Sequence, residues 1–154
     1  MTDADRSDLL TAIRSAIAAA PNADTAMTQA VRLLKDAIPY YSWVGIYLLD
    51  GNELVLGPFV GKPSPHTRIP LGRGICGAAA SEKATIVVDD VNADPRYLAC
   101  SLETRSEIVV PIMENDDVLG EIDIDSDTPA AFGDADRRLL EQVAALLAES
   151  LSED

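Results

Sequence analysis

The sequence predicts an α+β domain, an antiparallel sheet with helices gathered on one face. Two pairs of apolar runs, one turning at Asp50-Gly51-Asn52 and one across "ENDD", read as hairpins and supply most of the sheet. Amphipathic segments at both ends of the chain supply the helices. Long loops at 60–75 and 90–106 are left over, placed to close over the second sheet face and form a pocket. At 154 residues the chain fits a single domain, 1–154, large enough to bury a core.

Each element has a local reason. Leu9, Leu10, Ile13 and Ile17 fall on one helical face, and Pro21-Asn22 ends that segment. Asp24 or Thr25 can cap a second helix carrying Met27, Val31, Leu34 and Ile38, which Pro39 stops. Trp43 to Leu49 and Glu53 to Phe59 are the strands of the first hairpin. "GKPSPHTRIP" (61–70) carries three prolines and reads as a loop. "LGRGICGAAASEKA" reads as a glycine-rich turn into a short helix, followed by a strand from Thr85 to Asp89. Asn92 to Thr104 is irregular. Ile108 to Met113 and Val118 to Ile124 form the second hairpin, and Asp134 or a neighbour caps a last helix bearing Leu139, Leu140, Val143, Leu146 and Leu147.

Composition removes several function classes. With 26 acidic against 12 basic residues the net charge is −14, which opposes binding to nucleic acid and to an anionic membrane surface. No apolar run approaches the length needed to cross a bilayer, about 18 residues. The opening "MTDADRSDLL" is acidic where a signal peptide would be basic. Two cysteines are too few for a secreted disulfide framework and too far apart for a zinc-ligand pair. The expectation is a cytoplasmic protein with reduced thiols, in which a disulfide is transient and catalytic. Lysine is limited to Lys35, Lys62 and Lys83, a bias that suits a salt-rich cytoplasm or a GC-rich genome.

The residues able to carry chemistry are few. The glycines of "LGRGICG" lack the spacing of a nucleotide loop and suit a tight turn with close backbone approach. Cys76 then lies near a helix N-terminus, where the dipole favours a thiolate; a small packed residue is the equal alternative. Cys100 lies in a loop with Glu103, Arg105 and Glu107 after it, and spacing leaves its role undecided. In "GEIDIDS", Asp123 and Asp125 point to one sheet face, and Ile122 and Ile124 to the other. A solvated face is the ordinary explanation of such acids. Glu107, at the start of the neighbouring strand, turns the pair into a possible three-carboxylate patch suited to an ammonium group or a general acid. A metal is the weaker reading, because His66 is the only imidazole and distant in sequence. Trp43 and Tyr47 share a strand face, either as core aromatics or as a ligand wall with the indole N–H as donor.

Taken in order, "SWVGIYLL", "LVLGPFVGK", "TRIPLGRGICGAAA", "VVDDV", "ACSLETRSEIVVPI" and "GEIDIDS" resemble the GAF-domain free methionine-(R)-sulfoxide reductases over roughly residues 25–150. The resemblance implies a six-stranded antiparallel sheet with a pocket on one face. It divides the chain into an N-terminal helix within 1–22 and a GAF core over 24–150. It places the reactive cysteine at Cys100, the active-site carboxylates at Glu107, Asp123 and Asp125, and the pocket aromatics at Trp43 and Tyr47. In such enzymes a thiolate attacks the sulfoxide sulfur, and an acid protonates the departing oxygen. The resulting sulfenic acid condenses with a second thiol, and thioredoxin reduces the disulfide. No cofactor or metal is implied. One position departs from the pattern: His66 stands where many members carry a resolving cysteine, leaving Cys76 as the only internal resolving thiol. An external thiol is the alternative, and so is a non-catalytic GAF sensor that binds a small ligand. The terminal amphipathic helices suit a homodimer interface.

Overall fold

In the computed structural model, which describes residues 1–98 and 102–153, the chain opens with two helices that pack on each other. α1 (Asp3–Ala19) starts with a capping box: Thr2 Oγ1 accepts from the Asp5 amide at 3.1 Å, and Asp5 Oδ2 accepts from the Thr2 amide at 2.9 Å. α2 (Ala23–Ala37) is capped by Asn22, whose side-chain oxygen accepts from the Thr25 amide at 2.9 Å. The cap thus falls two or three residues before the Asp24 or Thr25 expected from sequence, because Asn22 already has the extended backbone of a cap residue.

The first hairpin is β1 (Trp43–Asp50) and β2 (Glu53–Val60), and the second is β5 (Ser106–Glu114) and β6 (Asp117–Ser126). Between them lie β3 (Arg68–Pro70), α3 (Gly74–Glu82), β4 (Ile86–Val88) and a 3-10 turn at Val91–Ala93. α4 (Asp134–Glu153) closes the chain. All six strands form one antiparallel sheet in the order β3-β2-β1-β6-β5-β4. The proline-rich segment read as loop throughout therefore contains a strand. Three residues at a sheet edge suffice for β3, and an edge position tolerates Pro70. Central β1 and β6 pair in register, with Trp43 opposite Asp125, Gly45 opposite Asp123 and Tyr47 opposite Glu121.

Strand alternation divides the residues between two layers. Val44, Ile46, Ile108, Val110, Ile112, Ile122 and Ile124 join Leu9, Ile13, Met27, Val31, Leu140 and Leu147 of α1, α2 and α4 in the main core. The apolar faces of the terminal helices, which suggested a dimer interface, are thus covered within the chain. The opposite sheet face meets the loops and, in a refinement of the expected layering, α3. Trp43, Tyr47, Leu54, Ile69, Ile75, Cys76, Ala79 and Val109 pack there as a second, smaller cluster. Among the described residues no helix is long and apolar enough to cross a membrane.

Candidate active site

The second cluster surrounds a set of acids that alternation alone brings together. Glu121, Asp123 and Asp125 point from β6 to the loop side, and Glu107 stands opposite Asp125 on β5. All four are buried, with exposures of 0%, 3%, 5% and 5% in that order. α3 delivers Cys76 from above, in the first turn of the helix. Two glycines make that approach possible. Gly74 takes φ +70°, and a side chain there would collide with Leu98; a Cβ on Gly77 would sit 2.8 Å from the Pro70 carbonyl oxygen. The close backbone approach expected of "LGRGICG" is what the structure shows.

Burial pushes the Glu107 carboxyl well above its ordinary range, and repulsion from Asp123 and Asp125 adds to the effect. Asp125 is raised by burial and then by Asp123. Asp123 is raised by burial, against which hydrogen bonds from Glu107 and from the Cys76 thiol work. Glu107 donates toward Asp123 and Asp125, and all three carboxyls favour their protonated forms more than ordinary ones do. The Cys76 thiol is also pushed well up, by burial first and then by Asp123, Glu121, Glu107 and Asp125. This reverses the expectation from helix position. A helix N-terminus contributes roughly half a positive charge, and burial together with the surrounding acids outweighs it.

The aromatics hold the loop that roofs the site. The Trp43 indole N–H donates to the Lys62 carbonyl at 2.9 Å, and the Tyr47 hydroxyl donates to the His66 carbonyl at 2.8 Å. The indole N–H expected as a ligand donor is therefore engaged by the chain itself, and the ring stacks on Phe59 with centroids 5.7 Å apart. Lys62 Nζ also donates to Glu103 Oε2 at 2.6 Å, linking the roof loop to the segment after residue 101. Beneath the roof lies a cavity of about 20 Å³, lined by Tyr47, His66, Cys76, Leu98, Glu107 and Asp123 among others. That is room for about one water molecule. A second hollow of about 160 Å³ opens beside it, lined by Trp43, Lys62, Glu103 and Asp125.

The structure brings Cys76, Glu107, Asp123, Tyr47 and His66 around one cavity and puts Trp43 and Asp125 at its flank. Cys100 lies outside the described residues; Leu98, two positions before it, lines the cavity. His66 had been set aside as distant from the carboxylates in sequence. It reaches the site because β3 pairs with β2 and draws the proline-rich loop back across the sheet. Glu121 was missed altogether. Its signal was present in "GEIDIDS", where the two-residue period that groups Asp123 with Asp125 extends back to Glu121. Cys76, Glu107 and Asp123 keep one sulfur and two oxygens within 4.8 Å of one another, a donor set for a metal ion or an ammonium group.

A GAF domain model matches residues 22–151. The free methionine-R-sulfoxide reductase of Escherichia coli is 38% identical over 120 residues, covering 78% of this chain and 72% of that protein. The X-ray structure of the free methionine-R-sulfoxide reductase from Neisseria meningitidis, in complex with its substrate, matches with a TM-score of 0.91 at 38% identity. It covers 96% of this chain and 88% of that one. The type II free methionine-R-sulfoxide reductase from Thermoplasma acidophilum matches with a TM-score of 0.82 at 42% identity, over 85% of this chain and 93% of that one. On this match in sequence and in fold, the chain belongs to the GAF domain family and, within it, to the free methionine-R-sulfoxide reductases.

Proposed function

We propose that the protein reduces free L-methionine (R)-sulfoxide to methionine. The observation that carries the reading is the buried trio of Glu107, Asp123 and Asp125 beneath an aromatic-pinned roof. Three acids crowded in low dielectric disfavour one another until a positive charge arrives. The ammonium group of a free amino acid supplies one, and a residue within a peptide chain does not. In this reading Asp123 and Asp125 hold the ammonium, and Trp43 and Tyr47 wall the side chain.

The chemistry follows with its atoms balanced. The Cys100 thiolate attacks the sulfoxide sulfur while the proton held on Glu107 passes to the sulfoxide oxygen. The oxygen is transferred to Cys100, methionine leaves with its sulfur reduced, and Cys100 is left as a sulfenic acid. Cys76 then attacks that sulfur, the S–O bond breaks, and water leaves as the disulfide forms. The water-sized cavity requires the roof loop to lift before an amino acid enters. Parting Lys62 from Glu103 and the loop carbonyls from Trp43 and Tyr47 would join the two hollows. No cofactor or metal takes part. Thioredoxin as the dithiol donor and a cytoplasmic location complete the proposal, and these rest on the resemblance and the composition.

A thioredoxin-coupled assay on the separate R and S epimers tests the reading. The expected result is turnover of the free R epimer, with Cys100→Ser abolishing methionine formation even in a single turnover with dithiothreitol. Methionine release by Cys100→Ser at the wild-type rate, or none by wild type, would sink it.

A further inference from the structure

Cys76, Glu107 and Asp123 come from three elements, α3, β5 and β6, and only the tertiary fold brings them together. Asp123 pairs with Val109, two residues along β5 from Glu107, so the two carboxylates are diagonal neighbours on the loop-side face. Cys76 is a free, buried thiol, and it lines the cavity of about 20 Å³ together with both acids. Asp123 is buried, yet its Oδ1 has no hydrogen-bond partner, where a buried carboxylate oxygen ordinarily finds one. Among the described residues no lysine or arginine lines this cavity.

The geometry suits a metal ion. One sulfur and two oxygens lie within 4.8 Å of one another. Two bonds of about 2.0–2.3 Å to a single zinc ion span at most about 4.5 Å, so small side-chain rotations would close these donors on it. A cavity that holds about one water also holds one ion. The donor types choose which. Magnesium and calcium take oxygen ligands, whereas zinc accepts a thiolate and carboxylates together.

We propose that Cys76, Glu107 and Asp123 form a binding site for one zinc ion, and that the ion shuts the pocket to substrate. As zinc binds, the Cys76 S–H and Glu107 O–H bonds break and both protons pass to water. The electron pairs left on sulfur and oxygen go to the metal, and nothing is oxidised or reduced. Binding stands apart from catalysis, and the blocking effect rests on the reductase reading. There the ion takes Asp123 from the substrate ammonium, removes the Glu107 proton meant for the sulfoxide oxygen, and ties up the resolving thiol. The reduced chain is the form that holds zinc, because a Cys76 disulfide has no thiolate to offer.

Cobalt(II) is the probe for binding, since it occupies zinc sites and its absorption reports the ligands. Titrated into the reduced full chain without added thiol, it should bind once per chain. A sulfur-to-cobalt charge-transfer band should appear in the near ultraviolet, and zinc should bleach it. Cys100→Ser should keep the band, and Cys76→Ser should lose it. Asp123→Asn keeps the thiol and should weaken cobalt binding by more than the roughly 10–100-fold that loss of an outer partner costs. Circular dichroism checks that each variant is folded, and Asp123→Asn decides the matter if Cys76→Ser is not. No band in wild type, a band that survives in folded Cys76→Ser, or wild-type affinity in Asp123→Asn overturns the site. Single-turnover methionine release, again without added thiol, tests the blocking. Wild type that releases none when free of zinc overturns the reductase reading and leaves the cobalt result standing. With release observed, zinc at about ten times its dissociation constant should cut the rate to about a tenth. In Cys76→Ser, measured against its own zinc-free rate, that slowing should largely vanish. Equal slowing in both proteins would put the inhibitory ion elsewhere and overturn the blocking role.

Discussion

The two faces of the sheet are made by the same strands and obey opposite rules. On the helix side, Ile108, Val110, Ile122 and Ile124 pack into the apolar core with α1, α2 and α4. The one buried acid of α4, Asp136, is fully served: it accepts from the Tyr40 hydroxyl at 2.6 Å, the Tyr41 hydroxyl at 2.7 Å and the Gly133 amide at 3.0 Å. One residue further along each strand, the loop side holds Glu107, Glu121, Asp123 and Asp125, with oxygens of the last three left unpartnered. A carboxylate with three donors stabilises a fold, and four crowded carboxylates short of donors do not. The contrast puts the well-partnered acid on the helix side and the under-partnered ones on the loop side, where the proposed reaction brings a cationic substrate to them.

Substitutions at neighbouring positions of β6 separate the two roles. Asp123→Asn is expected to lower kcat/KM for free methionine sulfoxide by about 100-fold or more, since it leaves the substrate ammonium with one carboxylate fewer. Urea unfolding should show no loss of stability in the same variant. A variant less stable than wild type at neutral pH would contradict the division of the sheet. Ile124→Ala, the next residue along, should do the reverse. Its side chain is wholly buried among helix-side residues, so truncation should cost about 2–5 kcal/mol of unfolding free energy. Its KM, measured well below the unfolding transition, should stay close to that of wild type. A KM shifted as far as that of Asp123→Asn would mean that the faces are not independent.

Much of this division was legible in the sequence. Period-two alternation placed Asp123 and Asp125 on one side and Ile122 and Ile124 on the other, and hairpin pairing brought in Glu107. What stayed hidden depended on contacts between segments distant in the chain. β3 has only three residues, one of them Pro70, with Pro63 and Pro65 just before it, so no local pattern reveals it. Its pairing with β2 is what draws His66 to the site. The two readings of Cys76, helix-end thiolate or small packed residue, stayed level in the sequence for a related reason, and the structure packs it in the second cluster. A helix start is visible in sequence, whereas four carboxylates gathered from two other strands are not. Glu121 is different, since the alternation rule already in use reached it and was stopped two residues short.

The smallest expected effect separates the faces by pH. Glu107 keeps its proton in the folded protein above the range in which an ordinary carboxyl loses it. The unfolded chain releases that proton near the usual glutamate value of about 4.3. The folded state therefore binds more protons than the unfolded state over the window between the two values, and stability falls as the pH rises through it. The contribution is complete below the unfolded value and lost above the folded one. Glu107→Gln carries a neutral side chain at every pH and escapes this loss. Its stability should match that of wild type near pH 4 and exceed it by about 1 kcal/mol or more by pH 8, when unfolding is followed in urea at each pH. Ile124→Ala carries no titrating group, so its deficit should stay level over the same range. A gap for Glu107→Gln that stays level too would mean that the loop-side acids ionise without opposition, and that nothing in the pocket awaits a cation.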